Sequence, residues 1–248
     1  LIGSASAFIE STLAQIYKEK DGDSFKCGPA YYMEKGLKKR WLGVLFSILI
    51  IISFGFAFNS VQSNTIASAF SSAFNIDVTI TGVILTIFTL VIIFGGVHRI
   101  AKITGFIVPV MAVAYLLVAA FIVCKNITEL PSVLKMIFAN AFGFEQVLGG
   151  TLGAAILQGI KRGLFSNEAG MGSAPNAAAV ATVSHPVKQG FIQTLGVFTD
   201  TLIICTSTAL IILVSGVTLD GSVKGIELTQ LAVTNQIGSW GGTFIAIC

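Results

Sequence analysis

The chain is 248 residues long, 54% hydrophobic and only 11% charged, with a formal net charge of +3. An ordinary soluble domain carries about 25% charged residues, so this chain has too few charges to cover a water-facing surface of its size. A soluble globular enzyme and a disordered chain are both excluded, which leaves an all-α polytopic membrane protein. Nothing basic and aromatic points to nucleic acid. The four cysteines (Cys27, Cys124, Cys205, Cys248) contain no CxxC pair and suggest neither a disulfide framework nor a zinc site. They read as small apolar helix residues.

The first residues, 1–17, read as the last part of a membrane helix. Residues 18–40 are polar and basic. Residues 41–73 form a long span, apolar first and then small and polar. Residues 78–97 and 101–124 are two more spans, joined by a short turn at His98-Arg99. Residues 128–146 are mixed, with room for a short interfacial helix. Residues 147–183 are helix-like at both ends but irregular in the middle. Residues 188–216 are another span, and after a glycine-rich bend from Val217 to Gly225 residues 229–248 begin one more. These are helices because backbone polar groups in hydrocarbon must be satisfied within the segment. Both chain ends fall inside apolar sequence, so we expect an internal piece of a longer protein, cut through a helix at each end.

Positive charge sets the orientation. The 18–40 loop holds seven basic residues, the 98–102 turn holds Arg99 and Lys102, and Lys188 opens the 188–216 span. If each span crosses once, these ten share one side, against Lys125, Lys135 and Lys224 on the other. The positive-inside rule makes the richer side cytoplasmic, and the one-crossing count treats 147–183 as a single broken span. Tyr31 and Tyr32 read as interface anchors on that side, and His98 and His185 sit at cytoplasmic helix ends.

The irregular middle reads Phe165-Ser-Asn-Glu-Ala-Gly-Met-Gly-Ser-Ala-Pro175. Non-helical backbone at membrane depth is tolerated only where it is buried in protein or lines a watery cavity. A first half-helix ending near Phe165 would expose carbonyls suited to an ammonium group or cation. A second starting at Ser173 as N-cap, with Pro175 in its first turn, would expose N–H groups suited to a carboxylate. The alternative is a polar loop outside the membrane, which Lys161 and Arg162 favour because they are awkward in lipid.

In the 41–73 span, Gly55, Asn59, Gln62 and Ile66 share one helical face, with Ser53, Ala57, Ser60, Asn64, Ala67 and Ser71 on the neighbouring one. Helix packing accounts for the small residues, but less well for the large amides Asn59 and Gln62. Glu10 and Asp200 are acids within apolar spans. Each is read first as an interhelical hydrogen-bond or salt-bridge partner, and pairing with Lys161 or Arg162 would explain both oddities. Nothing in the spacing of Ser166, Glu168 and His185 supports a catalytic triad, and no GxSxG elbow is present.

Several segments together carry a resemblance: Gly159-Ile-Lys-Arg-Gly-Leu-Phe-Ser-Asn-Glu-Ala-Gly-Met-Gly-Ser-Ala-Pro175, His185-Pro-Val-Lys-Gln-Gly190, Thr199-Asp-Thr-Leu-Ile-Ile-Cys-Thr206, Gly28-Pro-Ala-Tyr-Tyr-Met33 and Phe8-Ile-Glu-Ser-Thr-Leu-Ala14. Over nearly its whole length the chain resembles the alanine or glycine:cation symporter family. The resemblance implies a fold similar to the bacterial leucine transporter, with two inverted five-helix repeats and helices 1 and 6 broken at the midplane. On that frame the chain is a single transporter-domain fragment, 1–248, running from the end of helix 2 to the start of helix 8, with 147–183 as broken helix 6. The loop alternative then gives way to the broken span.

The implied activity is sodium-coupled uptake of alanine or glycine across the cell membrane by alternating access, with a small amino acid and the lipid bilayer as partners. The resemblance implies no enzymatic activity and no cofactor apart from sodium as coupling ion. The implied site contains main chain around Phe165, Ser166 and Asn167, with the Phe165 ring limiting substrate size and Gln62 adding a side-chain hydrogen bond. Glu168, Gly170, Gly172 and Ser173 shape the break, with Glu168 bracing it. The principal sodium site of that fold lies between helices 1 and 8, so no sodium ligand is assigned and the fragment alone is expected not to transport. Competing readings are a proton-coupled symporter, a symporter for another small solute, and a passive channel. An intramembrane enzyme lacks a nucleophile–base or metal set. Alanine versus glycine, stereoselectivity and oligomeric state are not legible.

Overall fold

The computed structural model describes residues 3–22, 24–142, 151–219 and 221–248. Residues 143–150, part of both the mixed and the irregular segments, lie outside the described residues, as does the His98 side chain. Among the described residues the chain is almost wholly helical, with one small hairpin. In order it forms α1 (Gly3–Ile16), β1 (Glu19–Asp21), β2 (Ser24–Lys26), α2 (Pro29–Leu37), α3 (Arg40–Ile52), a π-helical segment (Ser53–Phe58), α4 (Asn59–Phe74), α5 (Val78–Ile93), α6 (Gly96–Lys125), α7 (Leu130–Phe142), α8 (Thr151–Asn167), α9 (Ala174–Val180), α10 (Pro186–Phe198), a second π-helical segment (Thr199–Cys205), α11 (Thr206–Val214), α12 (Ile226–Ile237) and α13 (Trp240–Ile247). Among the described residues three continuous helices are long and apolar enough to cross a membrane: Arg40–Phe74, Arg99–Lys125 and Pro186–Val214; Val78–Ile93 is a shorter apolar helix.

Two compact units emerge, Leu1–Phe58 with Gly143–Cys205, and Asn59–Phe142 with Thr206–Cys248. In both long spans that carry a π-helical segment, the chain passes from the first unit to the second just after that segment.

In the first unit α1 packs against α9 and α10. The contact with α10 is close because Gly190 has no side chain: a Cβ there would overlap Thr12 Oγ1 and lie 2.9 Å from the Phe8 carbonyl oxygen. Phe8 and Phe191 meet edge to face beside it, their centroids 5.1 Å apart. The end of α9 is capped from α1. Gln15 Nε2 donates to the carbonyls of Ala178 (2.5 Å) and Ala181 (2.9 Å), and Lys18 Nζ donates to the Ala181 carbonyl (3.1 Å).

The basic 18–40 loop is structured. β1 and β2 pair antiparallel through a turn at Gly22, whose φ of +59° favours glycine. Tyr31 packs against Ala14, Cys27 and Ala179, and burial pushes the Tyr32 hydroxyl well above its usual pKa. Both tyrosines are therefore half-buried in protein rather than outward anchors. Among its described residues the loop holds three exposed ion pairs, Lys26–Asp21, Lys35–Glu19 and Arg40–Glu34, of a kind that adds little stability.

In the second unit, Ile122, Val133, Ile211, Val214, Val233 and Ile245 form a core between α6, α7, α11, α12 and α13. Two expected boundaries shift. The turn before α6 falls at Phe94-Gly95 rather than His98-Arg99, because Gly96 (φ +75°) takes the left-handed conformation there. His98 and Arg99 lie in the first turn of α6. Residues 229–248 are not one continuous helix: Gly238 (φ +91°) ends α12, and α13 folds back against it. Gln230 Nε2 fixes that fold by donating to the carbonyls of Gly242 on α13 (3.1 Å) and Ala69 on α4 (3.0 Å).

Candidate substrate site at the interrupted helix

The helix α8 runs two residues beyond Phe165 and stops after Asn167. Glu168 (φ +50°), Gly170 (φ +83°) and Gly172 (φ +79°) then take left-handed backbone conformations within five residues, which no helix can continue. Two local bonds shape this interruption. The Asn167 side-chain oxygen accepts from the Ala169 amide (3.1 Å), and the Ser173 hydroxyl donates to Glu168 Oε2. Ser173 therefore occupies the N-cap position of α9 without capping it. The helix α9 has only seven residues and offers correspondingly little dipole to a carboxylate.

Each of Phe165, Ser166 and Asn167 has a partner on a π-helical segment. The Phe165 ring stacks on Phe58 (centroids 4.8 Å, interplanar 14°), which stacks on Phe54 (4.4 Å, 13°). The Ser166 hydroxyl donates to Asp200 Oδ2 at 2.6 Å and lies 3.2 Å from Cys205 Sγ. Asn167 Nδ2 donates to Thr201 Oγ1 at 3.3 Å. Phe165 keeps 40% of its surface exposed, so one ring face is held while much of the side chain stays open.

The π geometry explains the convergence on Ser166. In an α-helix, positions five apart point about 140° away from each other at 3.6 residues per turn. A π-helix bonds i to i+5, which brings Asp200 and Cys205 to the same side.

Glu10, on α1, faces the main-chain amides of Gly170 and Gly172, and its Oε2 is buried without a hydrogen-bond partner. The anticipated salt bridges do not form. Among the described residues neither Glu10 nor Asp200 pairs with Lys161 or Arg162, which are exposed on α8. Asp200 is an interhelical hydrogen-bond acceptor, as first read.

Gln62 belongs to the second unit. It lines an open cleft of about 370 Å³ with Asn59, Ser63, Ile66, Leu85, Thr86 and Thr89. Gly55 lies inside the π-helical segment Ser53–Phe58, whereas Asn59 and Gln62 lie on α4, so the uniform repeat that grouped the three does not run through all of them. His185 caps α10, its Nδ1 accepting from the Val187 amide (3.3 Å). Among the described residues no group of three or more His, Cys, Asp or Glu could hold a metal ion. Phe58, Thr201 and Cys205 are contributors that sequence reading missed, and only the Thr199-Asp-Thr201 triplet stood out.

The family model described as the sodium:alanine symporter family matches residues 1–248. The chain is 61% identical over 247 residues to a Bacillus subtilis protein named probable sodium/glutamine symporter GlnT, covering all of this chain and 52% of that one. It is 58% identical to the amino-acid carrier protein AlsT of the same organism, covering 99% of this chain and 52% of the relative. It is 40% identical to a sodium/proton-dependent alanine carrier protein of Bacillus sp. strain PS3, covering 99% of this chain and 58% of the relative. The chain spans about half the length of these relatives.

Proposed function

This chain belongs to the sodium:alanine symporter family, a family of transporters rather than enzymes, and on that premise we propose that it forms part of a cation-coupled amino acid symporter. The parent protein carries alanine and glycine into the cell by alternating access, with sodium as the coupling ion. It does so on an inverted five-helix-repeat fold with α8 and α9 as the two halves of broken helix 6. The 18–40 loop is cytoplasmic and the protein spans the cell membrane several times.

The observation that carries the reading is the interruption at 168–173, whose preceding residues Phe165, Ser166 and Asn167 are each held from a π-helical segment. Main chain at Phe165–Asn167 binds the substrate's charged groups, and the steadied Phe165 ring limits its side chain. Glu168, bonded to Ser173, braces the break between Gly170 and Gly172. On the second unit Gln62, exposed in its cleft, supplies a side-chain hydrogen bond.

A second substrate reading, glutamine, is favoured by the name of the relative at 61% identity. Proton coupling has similar support from the name of the relative at 40%. The deciding experiment is uptake of labelled alanine by the complete parent protein in proteoliposomes, with and without an inward sodium gradient, with glycine and glutamine as competitors. Accumulation above equilibrium only with sodium is the expected result. Accumulation driven by a proton gradient alone would replace the ion, and equal uptake with no gradient would overturn symport.

A further inference from the structure

The π-helical segment Thr199–Cys205 contributes no group to the site as proposed above, yet it holds two of the three residues before the break. Ser166 is bound to Asp200 Oδ2 at 2.6 Å and approached by Cys205 Sγ at 3.2 Å; Cys205 Sγ itself lies 4.0 Å from the same carboxylate oxygen. Asn167 bonds to Thr201, the next residue of the segment. Asp200 has no cationic partner within 4 Å among the described residues, so hydroxyl and thiol donors are what surround its carboxylate. A carboxylate at membrane depth is costly and is retained where it does something specific. A hydrogen bond to a charged acceptor is also stronger and more directional than a neutral one.

We propose that Asp200 is a positioning residue for substrate binding. From the π-helical segment it clamps the Ser166 hydroxyl and so fixes the direction of the Phe165–Asn167 main chain toward the substrate. The wide helical turn adds Cys205 to the cluster, because an α-helical turn would carry it away from the Asp200 side. The clamp rests on the reading of Phe165–Asn167 as substrate-binding backbone.

The test uses the complete parent protein in proteoliposomes and a double-mutant cycle of Ser166→Ala and Asp200→Ala, with Asp200→Asn as the conservative variant. Each single alanine variant is expected to raise the KM for alanine about ten- to a hundredfold, the range for loss of a hydrogen bond to a charged group, with a smaller effect on kcat. The double variant is expected to be no worse than either single. Asp200→Asn, which keeps an acceptor oxygen, is expected to restore most of the affinity, whereas a purely structural loss would lower active protein without a KM shift.

Additive effects, or unchanged KM in Ser166→Ala, would overturn the clamp. The wild-type protein run alongside separates the two ideas, because wild-type uptake that no ion gradient drives defeats symport without touching the clamp. A readout independent of transport covers variants that fold but do not carry substrate. Ser166→Ala is expected to speed labelling of Cys205 by a small thiol reagent relative to Cys124, and unchanged labelling would overturn the proposed cluster.

Discussion

Replacing Gly172 by alanine tests whether the interruption is a packed structure or a slack loop. Gly172 is buried at φ +79°, and a Cβ there would sit 2.5 Å from Phe46 Cζ and 2.9 Å from Pro29 Cγ. Two costs follow. The left-handed conformation costs a residue with a Cβ roughly 1–2 kcal/mol. Inserting a methyl group into a filled space typically costs about 1–3 kcal/mol more. Pro29 is a rigid ring and is itself fully buried, so it cannot yield; Phe46 is half-buried and can turn only partly aside.

The sum is roughly 2–5 kcal/mol. Gly22→Ala isolates the first cost, since Gly22 is also left-handed (φ +59°) but has nothing within 4 Å of its would-be Cβ. Thermal unfolding of the complete parent protein in detergent should place Gly22→Ala modestly below wild type and Gly172→Ala well below both. If the two variants lose the same stability, the packing of Phe46 and Pro29 over the break is not tight and the reasoning fails.

Gln15→Ala should cost about 0.5–1.5 kcal/mol per bond by removing one of the two donors from each of two carbonyls at the end of α9, the Ala181 amide and Lys18 Nζ remaining, read as a lowered Tm; a Tm equal to wild type would show that the remaining donors suffice. Phe165→Ala should move preference from alanine toward glutamine in competition uptake, while an unaltered ratio would remove the ring from size selection. Asp77 accepts the Thr79 amide at the start of α5 (2.7 Å), and bonds to Thr79 hold its carboxyl below the usual aspartate range. A depressed pKa in the folded state stabilises above the unfolded pKa and is lost as pH falls through the folded one. Asp77→Ala should therefore lower Tm at neutral pH, with the gap to wild type closing in strong acid. A gap independent of pH would show that the carboxylate is not the cap.

The interruption was legible because its chemistry is local. Gly170, Gly172 and Pro175 are punctuation that no helix absorbs, and their placement inside an apolar segment pointed to a break. Three of the spans, 41–73, 101–124 and 188–216, were legible by length and hydropathy. What sequence could not supply was register and partnership. Asp200 lies 34 residues from Ser166, and local composition carries no trace of that bond. A periodic reading assumes one repeat throughout, so it placed Gly55 on the face of Gln62. It likewise expected one helix from 229 on, because a lone glycine at 238 does not announce that α13 folds back. Tyr31 was read by its residue type, whereas Ala14 on α1 and Ala179 on α9 pack against it.

The length of the second π-helical segment is itself a setting. It lodges surplus backbone relative to an α repeat, and deleting one residue from 199–205 would return the segment to α spacing. Asp200 and the residue five positions on would then diverge by about 140°, and Ser166, which meets both Asp200 and Cys205, could keep only one of them. A deletion there would thus exchange the partners of Ser166 without altering the chemistry of any side chain that remains.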